Sequence, residues 1–250
     1  MIDLRSDTVT RPTEDMRKAM YDAEVGDDVQ GEDPTVNKLQ SLAAEITGKE
    51  SALIVSSGTM GNLVSLLALT NRGEEIILGD QCHVYAWEGA GVPIFGGVSL
   101  NVIKNEDNGT LKLDEIEKSV NPVDDHKPTT SVVSIENTHN QCGGYPVNES
   151  YIKDLRSLCD LKKLKIHMDG ARLFNAAISL NTDVSSLTKH VDTTTFCLSK
   201  GLSCPIGSVI CGSEDIILEA KRWRKAIGGG MRQAGVFAAA GIVALNNMVD

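Results

Sequence analysis

Positive charge is scarce in this sequence. Lysine and arginine number 24 against 34 aspartates and glutamates, a formal charge of −10 at pH 7. A phosphate-neutralising surface needs clustered cations, so this balance excludes a nucleic-acid clamp. Long apolar runs are missing too: nothing approaches the roughly 20 uninterrupted residues of a membrane span, and no membrane partner is expected. The opening MIDLRSDTVTRPTEDMRKAM is too charged for the apolar core of a secretory signal, which points to a cytoplasmic protein. Cys82, Cys142, Cys159, Cys197, Cys204 and Cys211 form no C-x-x-C pair and no zinc-ligand spacing. They read as reduced, mostly buried thiols with no metal, and the sequons at Asn108 and Asn148 then carry little meaning. No G-x-x-x-x-G-K-[ST], G-x-G-x-x-G or H-E-x-x-H occurs, which weakens P-loop, dinucleotide-fold and zinc-protease readings. No repeat, low-complexity tract or linker breaks the chain, so it is taken as one unit.

What is present has the composition of a soluble globular protein, with 41% hydrophobic and 23% charged residues over 250 positions. A chain of that length can bury a real core. Asp33-Pro34 offers an N-cap followed by proline at the first helical position, and Val36, Leu39, Leu42, Ala43 and Ile46 recur at helical spacing until Gly48. Short β-rich runs follow at 52–56, 75–78, 131–135, 164–168, 193–198 and 208–211, separated mostly by helix-patterned segments. Several are apolar throughout, which suits strands covered on both faces. The expected fold is therefore α/β, with a mostly parallel central sheet between helices. In such a sheet, ligands bind beyond the carboxyl ends of the strands. From Gln233 the chain reads as an apolar helix running to Asp250 without a stop signal, and Val236, Phe237, Ala240, Val243 and Ala244 predict a stripe left partly exposed.

Three polar clusters stand where strands are predicted to end. Ser56-Ser57-Gly58-Thr59-Met60-Gly61-Asn62 lies between the run LIV and the helical NLVSLLAL. A helix N-terminus with glycines suits a phosphate, although these residues also make an ordinary capped turn. The strand LKIHM ends in Asp169, a carboxylate that, taken alone, is more often just the cap of the next helix. TTTFCLS delivers Lys200 from an apolar strand, and a desolvated amine loses its proton readily enough to condense with an aldehyde. Phosphate seat, carboxylate and amine together describe a site for pyridoxal phosphate.

The ordered segments LRSDTVT-RPT, SSGTMGN, the His83 region, ENTHN, HMDGARLFNAA, LSKGL-CPIGS and RWRKAIGGGMRQAG resemble those of L-threonine aldolases, of the low-specificity or L-allo-threonine type, in the fold type I pyridoxal phosphate family. The resemblance implies that Lys200 holds the cofactor, that Asp169 pairs with its ring nitrogen, and that Ser57, Gly58 and Thr59 take its phosphate. It implies that Arg172 and Ser6 hold the substrate carboxylate, with Arg172 counted among the cofactor residues as well. His83 corresponds to the histidine stacked on the ring, His126 to a second histidine that handles the substrate hydroxyl, and Trp87 to an aromatic residue near the substrate or simply a core aromatic. Lys225 and Arg232 are expected to reach the cofactor phosphate of a neighbouring subunit in a homodimer or homotetramer. The role of His139 stays open.

The implied reaction is retro-aldol cleavage of L-threonine and L-allo-threonine to glycine and acetaldehyde, in threonine catabolism and glycine formation. The base is His83, His126 or a water they position. A β-eliminating lyase or aminotransferase would share Lys200 and Asp169, and a non-catalytic truncated fragment is the third alternative. In the resembling family the chain continues into a small carboxyl-terminal domain, which is expected to be absent or truncated here. Residues 1–250 then correspond to the large cofactor-binding domain with its N-terminal arm.

Overall fold

Strands that are apolar on both sides need cover on both sides, and the chain supplies it. A computed structural model describes residues 2–249; Asp250, at the end of the apolar run, lies outside them. In chain order the elements are α1 (Glu14–Tyr21), α2 (Pro34–Thr47), β1 (Ser51–Val55), α3 (Gly58–Leu69), β2 (Glu74–Gly79), α4 (His83–Ala86), α5 (Gly91–Gly96), β3 (Ser99–Ile103), α6 (Leu113–Ser119), β4 (Thr129–Glu136), α7 (Glu149–Lys162), β5 (Lys165–Asp169), α8 (Leu173–Leu180), α9 (Val184–Thr188), β6 (Thr193–Cys197), β7 (Ser208–Gly212), α10 (Glu214–Ala226) and α11 (Gly235–Asn247). The strands form one sheet in the order β1-β7-β6-β5-β4-β2-β3. All run parallel except β7, which is antiparallel to both β1 and β6. The edge strand β3 escapes the sequence pattern because SLNVI is only half-buried and carries an asparagine at its centre.

Alternation along each strand sorts the side chains into two cores. Ala52, Ile54, Ile77, Val133, Ile166, Met168 and Phe196 face a layer built from α2, α7, α8, α9 and α11. Leu53, Val55, Ile76, Leu78 and Ile210 face the opposite layer, where α3 and α10 lie. The same alternation turns Ser134 and Glu136 on β4, His167 and Asp169 on β5, and Thr193 and Thr195 on β6 toward α3. Register aligns them into rows, Ser134–His167–Thr193 and Glu136–Asp169–Thr195. A polar stripe thus crosses an otherwise apolar sheet, and its outer row lies at the carboxyl rim.

α2 forms as its sequence dictates. The Asp33 carboxylate accepts from Thr35 N and Val36 N, Pro34 opens the helix, and Gly48 closes it with φ 64°. Asp33 also accepts from Gly235 N at 2.8 Å, so one buried carboxylate caps α2 and holds the start of α11. A Cβ on Gly235 would stand 2.4 Å from that carboxylate, and only glycine fits. α11 packs on α1 and α2 and leaves the apolar stripe partly exposed, as its pattern predicts: Ala240 and Ala244 are fully buried, Val236 and Val243 are half-buried and Phe237 is 37% exposed. All six cysteines are free and buried.

Arg224 on α10 is the largest fully buried side chain. Its guanidinium donates to Asp28 Oδ2 and to the Ile54 carbonyl, both at 2.7 Å. Removing one partner of a buried ion pair costs about 3–5 kcal/mol, because the other charge is left buried alone. Arg224→Met should therefore lower the urea midpoint by that equivalent, whereas the exposed Arg222→Met should shift stability by less than about 0.5 kcal/mol.

Candidate active site

The rim collects what the sequence scattered. Gly58, Thr59, Asn62, His83, Asp169, Ala171, Cys197, Ser199 and Lys200 line one cleft of about 190 Å³. A larger cleft of about 700 Å³ opens between α8 and α9. Among the described residues it offers neither amine nor imidazole, and Asp183 is the one ionisable side chain there, so size does not mark the chemistry here.

α3 begins earlier than the sequence pattern suggested. Ser57 is its N-cap, its hydroxyl accepting from Met60 N at 3.1 Å, and Gly58 and Thr59 form the first turn. Backbone N–H groups in that turn have no partner within the helix and favour an anion. α3 lies close on β6, since a Cβ on Gly61 would come 3.1 Å from Thr195 Cγ2.

Lys200 follows β6, whose residues are all buried. Its carbonyl accepts from Ser203 N at 2.9 Å and from the Thr10 hydroxyl at 2.7 Å, so the N-terminal arm is tied to the turn that carries the amine. Asp169 ends β5 and is 3% exposed. Its Oδ1 accepts from Ala171 N at 3.0 Å and its Oδ2 from Asn62 Nδ2 at 2.8 Å.

Asn62, on the mostly apolar α3, is the junction of the site. Its oxygen accepts from His167 Nε2 at 3.1 Å and from the Thr195 hydroxyl at 3.0 Å, while its amide donates to Glu88 Oε1 and Asp169 Oδ2, both at 2.8 Å. Two donors and two acceptors satisfy the group completely. This fixes His167 as a neutral ring with its proton on Nε2, and Nδ1 accepts from the Thr193 hydroxyl at 2.9 Å. Burial pulls the His167 pKa down from 6.5 to about 4.

A histidine whose folded pKa is depressed contributes stability that is complete above its unfolded value and lost as pH falls toward the folded one. From 6.5 to about 4, that loss is roughly 3 kcal/mol at 1.36 kcal/mol per unit. Glu136 supplies the opposite slope, its carboxyl pushed up by burial and then by the neighbouring Asp169. Because Glu136, pushed from 4.5 to about 7, offsets this over the same window, the check is a difference between chains: on going from pH 7 to pH 4 in urea denaturation, the natural chain should lose roughly 3 kcal/mol more than His167→Asn.

His83 opens α4, and its backbone N–H donates to Glu136 Oε2 at 2.8 Å. Its Nδ1 lies 2.8 Å from Glu88 Oε1. The bond to Glu88, helped by Asp169, holds the His83 pKa above its ordinary value against burial. Burial pushes the Glu88 carboxyl up. Donor atoms of His83, Glu88 and Asp169 lie within 4.8 Å of one another, a spacing that a metal ion can also use. The Asn62 amide, however, directs its N–H groups at both carboxylates, where a cation would be repelled. The set suits a ring nitrogen that carries its own proton.

Arg172, the N-cap of α8, makes a two-pronged contact with Asp7: Nε–H to Oδ2 at 2.9 Å and Nη2–H to Oδ1 at 2.8 Å. One edge of its fork is therefore engaged by the arm; Arg172 stands next to the cleft-lining Ala171 but does not itself line the cleft. Ser6 sits beside this contact as N-cap of the 3-10 turn Asp7–Val9, its hydroxyl accepting from Thr8 N.

Other expected residues lie away from the cleft. His126 corrects the expectation of a second histidine within this chain's site. It lies in an exposed loop before the amino end of β4, paired with Asp124 at 2.8 Å, and the length of that strand separates it from the rim. Trp87 is neither in the cleft nor in the core: it is 61% exposed at the end of α4. Lys225 lies in the last turn of α10, and Arg232 is bound at 2.7 Å to Asp27; neither lines this chain's cleft. His139 is buried behind the rim, and neither ring nitrogen has a partner among the described residues.

Glu88 and Glu136 are not singled out by the sequence, which marks Asn62 only as the end of the Ser56–Asn62 cluster and Cys197 only as a buried thiol. Glu136 ends a buried strand as Asp169 does, and that signal was available. Glu88 gave none, because its partners Asn62 and His83 are assembled only by the fold.

The cleft fits pyridoxal phosphate on three counts: an amine on a pinned turn, a buried carboxylate whose neighbours are already satisfied, and a glycine-bearing helix start across from it. The beta-eliminating lyase family model matches residues 3–250. Over 249 residues the chain is 47% identical to the low specificity L-threonine aldolase of Escherichia coli K12, with 100% of this chain and 74% of that protein covered. It is 48% identical to the low-specificity L-threonine aldolase 1 of Arabidopsis thaliana, covering 98% of this chain and 69% of the relative. A solved Leishmania major threonine aldolase, only 20% identical, shares the fold with a TM-score of 0.84 over 98% of this chain and 72% of its own. Across its curated relatives the chain spans 60% to 74% of their length. With a family match along nearly its whole length and relatives near one-half identical, the chain belongs to the beta-eliminating lyase family, in the branch that holds the low-specificity L-threonine aldolases.

Proposed function

We propose that the chain is the large, cofactor-binding part of a pyridoxal phosphate-dependent L-threonine aldolase, cleaving L-threonine and L-allo-threonine to glycine and acetaldehyde. The observation that carries this is the convergence of Lys200, Asp169, His83 and the first turn of α3 on one cleft. Bound there, the cofactor would supply a sink for the electron pair released when a bond to Cα breaks. Lys200 would hold it through its amine, Asp169 would keep the ring nitrogen protonated, and Ser57, Gly58 and Thr59 would seat the phosphate.

The chain's own groups select the bond. Arg172, positioned by Asp7 and flanked by Ser6, takes the substrate carboxylate and so orients the Cα–Cβ bond. His83 then accepts the β-hydroxyl proton, a contribution of about 10²–10⁴-fold for a positioned base. His126, Lys225 and Arg232 are assigned to a neighbouring subunit's site. Support for self-association comes from Tyr85, Trp87, Ile94 and Phe95, large apolar side chains left exposed in the segment next to His83. A homodimer or homotetramer in the cytoplasm, serving threonine breakdown and glycine formation, completes the proposal.

Incubation with pyridoxal phosphate and each L-threonine diastereomer tests it. Glycine and acetaldehyde in equal amounts, with the allo isomer turned over somewhat faster, are expected. Ammonia and a keto acid would instead assign an elimination, and activity on D-threonine alone would sink the proposal.

A further inference from the structure

Resting on the reading of His83 as the base, we infer that Glu88 is its positioning residue: it holds the ring proton on Nδ1, leaves Nε2 as the acceptor open to the cleft, and is itself held by Asn62.

Asn62 has no freedom in this arrangement. Its oxygen is taken by His167 and Thr195, so its amide must donate to Glu88 Oε1 and Asp169 Oδ2. Glu88 Oε1 therefore receives one donor from Asn62 and faces His83 Nδ1 at 2.8 Å on its other side. Imidazole is a stronger base than a carboxylate, so the proton between them rests on Nδ1 and the charge on Glu88. The Glu88 side chain is 4% exposed, which removes the competing water that would let the ring turn. His83 lines the cleft with Nδ1 committed, and the nitrogen left for a substrate proton is Nε2. When Nε2 takes the hydroxyl proton, the O–H pair closes into the new carbonyl as the Cα–Cβ bond breaks, its pair leaving toward Cα and the sink that a bound cofactor would supply, and the buried Glu88 charge stabilises the imidazolium. Four ionisable groups face His83: Glu88 from the segment after α4, Asp169 from β5, Glu136 from β4 and Lys200 from the turn after β6. Three are acidic and one basic, and Glu88 alone touches the ring nitrogen.

The same chain of bonds reaches Asp169, because one amide group serves both carboxylates. Charge at the ring-nitrogen end and basicity at the hydroxyl end are set by one asparagine.

The test is ¹⁵N NMR of the histidine rings in the cofactor-loaded protein, comparing the natural chain with Glu88→Gln. The expected result is an Nδ1–H ring for His83 in the natural chain, and a fall in its pKa of about one unit or more when the charge is removed. kcat should fall with KM little changed, and Glu88→Asp should recover part of the shift. A natural chain whose His83 carries its proton on Nε2 overturns the inference without any variant. So does a His83 titration that is the same in Glu88→Gln. If instead the NMR result holds while neither threonine isomer is cleaved, the aldolase proposal fails and the role of Glu88 in setting the ring stands.

Discussion

Lys200→Ala should fold as the natural chain does, retain no cofactor after borohydride reduction, and lose threonine cleavage by about 10⁴-fold or more, the upper end of what one positioned group contributes. The fold is expected to survive because the turn is held by backbone groups. Leu198 N and Ser199 N both donate to Gly207 O, Cys204 N donates to Leu198 O, and the Lys200 carbonyl accepts from Ser203 and Thr10. None of these bonds involves the amine. Lys200→Arg should fail as completely as alanine, since a guanidinium stays protonated and cannot condense with an aldehyde. In the natural chain, peptide mapping after reduction should place the cofactor on Lys200. Label on Lys189 or Lys225, or persistence of cleavage in the alanine variant, would remove the basis for the whole assignment.

Asp169→Asn is the second large effect, and its cost divides between chemistry and packing. The substitution removes the charge that would keep the cofactor's ring nitrogen protonated, and a loss of about 10²–10³-fold in turnover is the usual scale for one preorganised electrostatic partner. Packing is affected as well. Asp169 accepts two N–H donors, from Ala171 and Asn62, and an asparagine can accept from only one of them while turning its own NH₂ toward the other. A buried donor facing a donor costs about 1–3 kcal/mol. The variant should therefore be folded but measurably less stable, should still bind the cofactor at Lys200, and should turn over slowly. Undiminished turnover would dissociate Asp169 from the ring nitrogen.

Much of this site can be located from sequence because it obeys two local rules. A polar residue that ends an apolar strand marks the rim, as Asp169 and Lys200 do, and a Ser-Gly turn before an apolar helix marks an anion seat. The helix at Pro34–Thr47 likewise announces itself through Asp33, Pro34 and Gly48. What was not legible depends on partners brought together through space. Glu88 meets Asn62 and His83 only after β2 has been placed between β4 and β3. That His126 stands before the amino end of β4, away from this chain's own rim, was not legible either, because a loop histidine carries no sign of which end of a strand it adjoins. The direction of β7 was within reach: too few residues separate Cys197 from Ser208 to build a helical crossover, so that strand had to return antiparallel.

That return has a consequence for how the protein is made. β1 leads directly into the first turn of α3, yet its sole partner in the sheet is β7, with Ser51 against Gly212 at one end and Val55 against Ser208 at the other. On the ribosome, residues 51–70 emerge early and must wait for a distant strand before their floor exists. Closing so long a loop has an entropic cost that local contacts cannot offset, and pairings of this separation form slowly. The insertion of β7 between β1 and β6 is also what sets the lysine-bearing turn across from α3. Cofactor capture is then a late event in synthesis, and a nascent chain that has Asp169 in place still lacks both the phosphate seat and the amine. Acquisition of the cofactor reports that the sheet has closed.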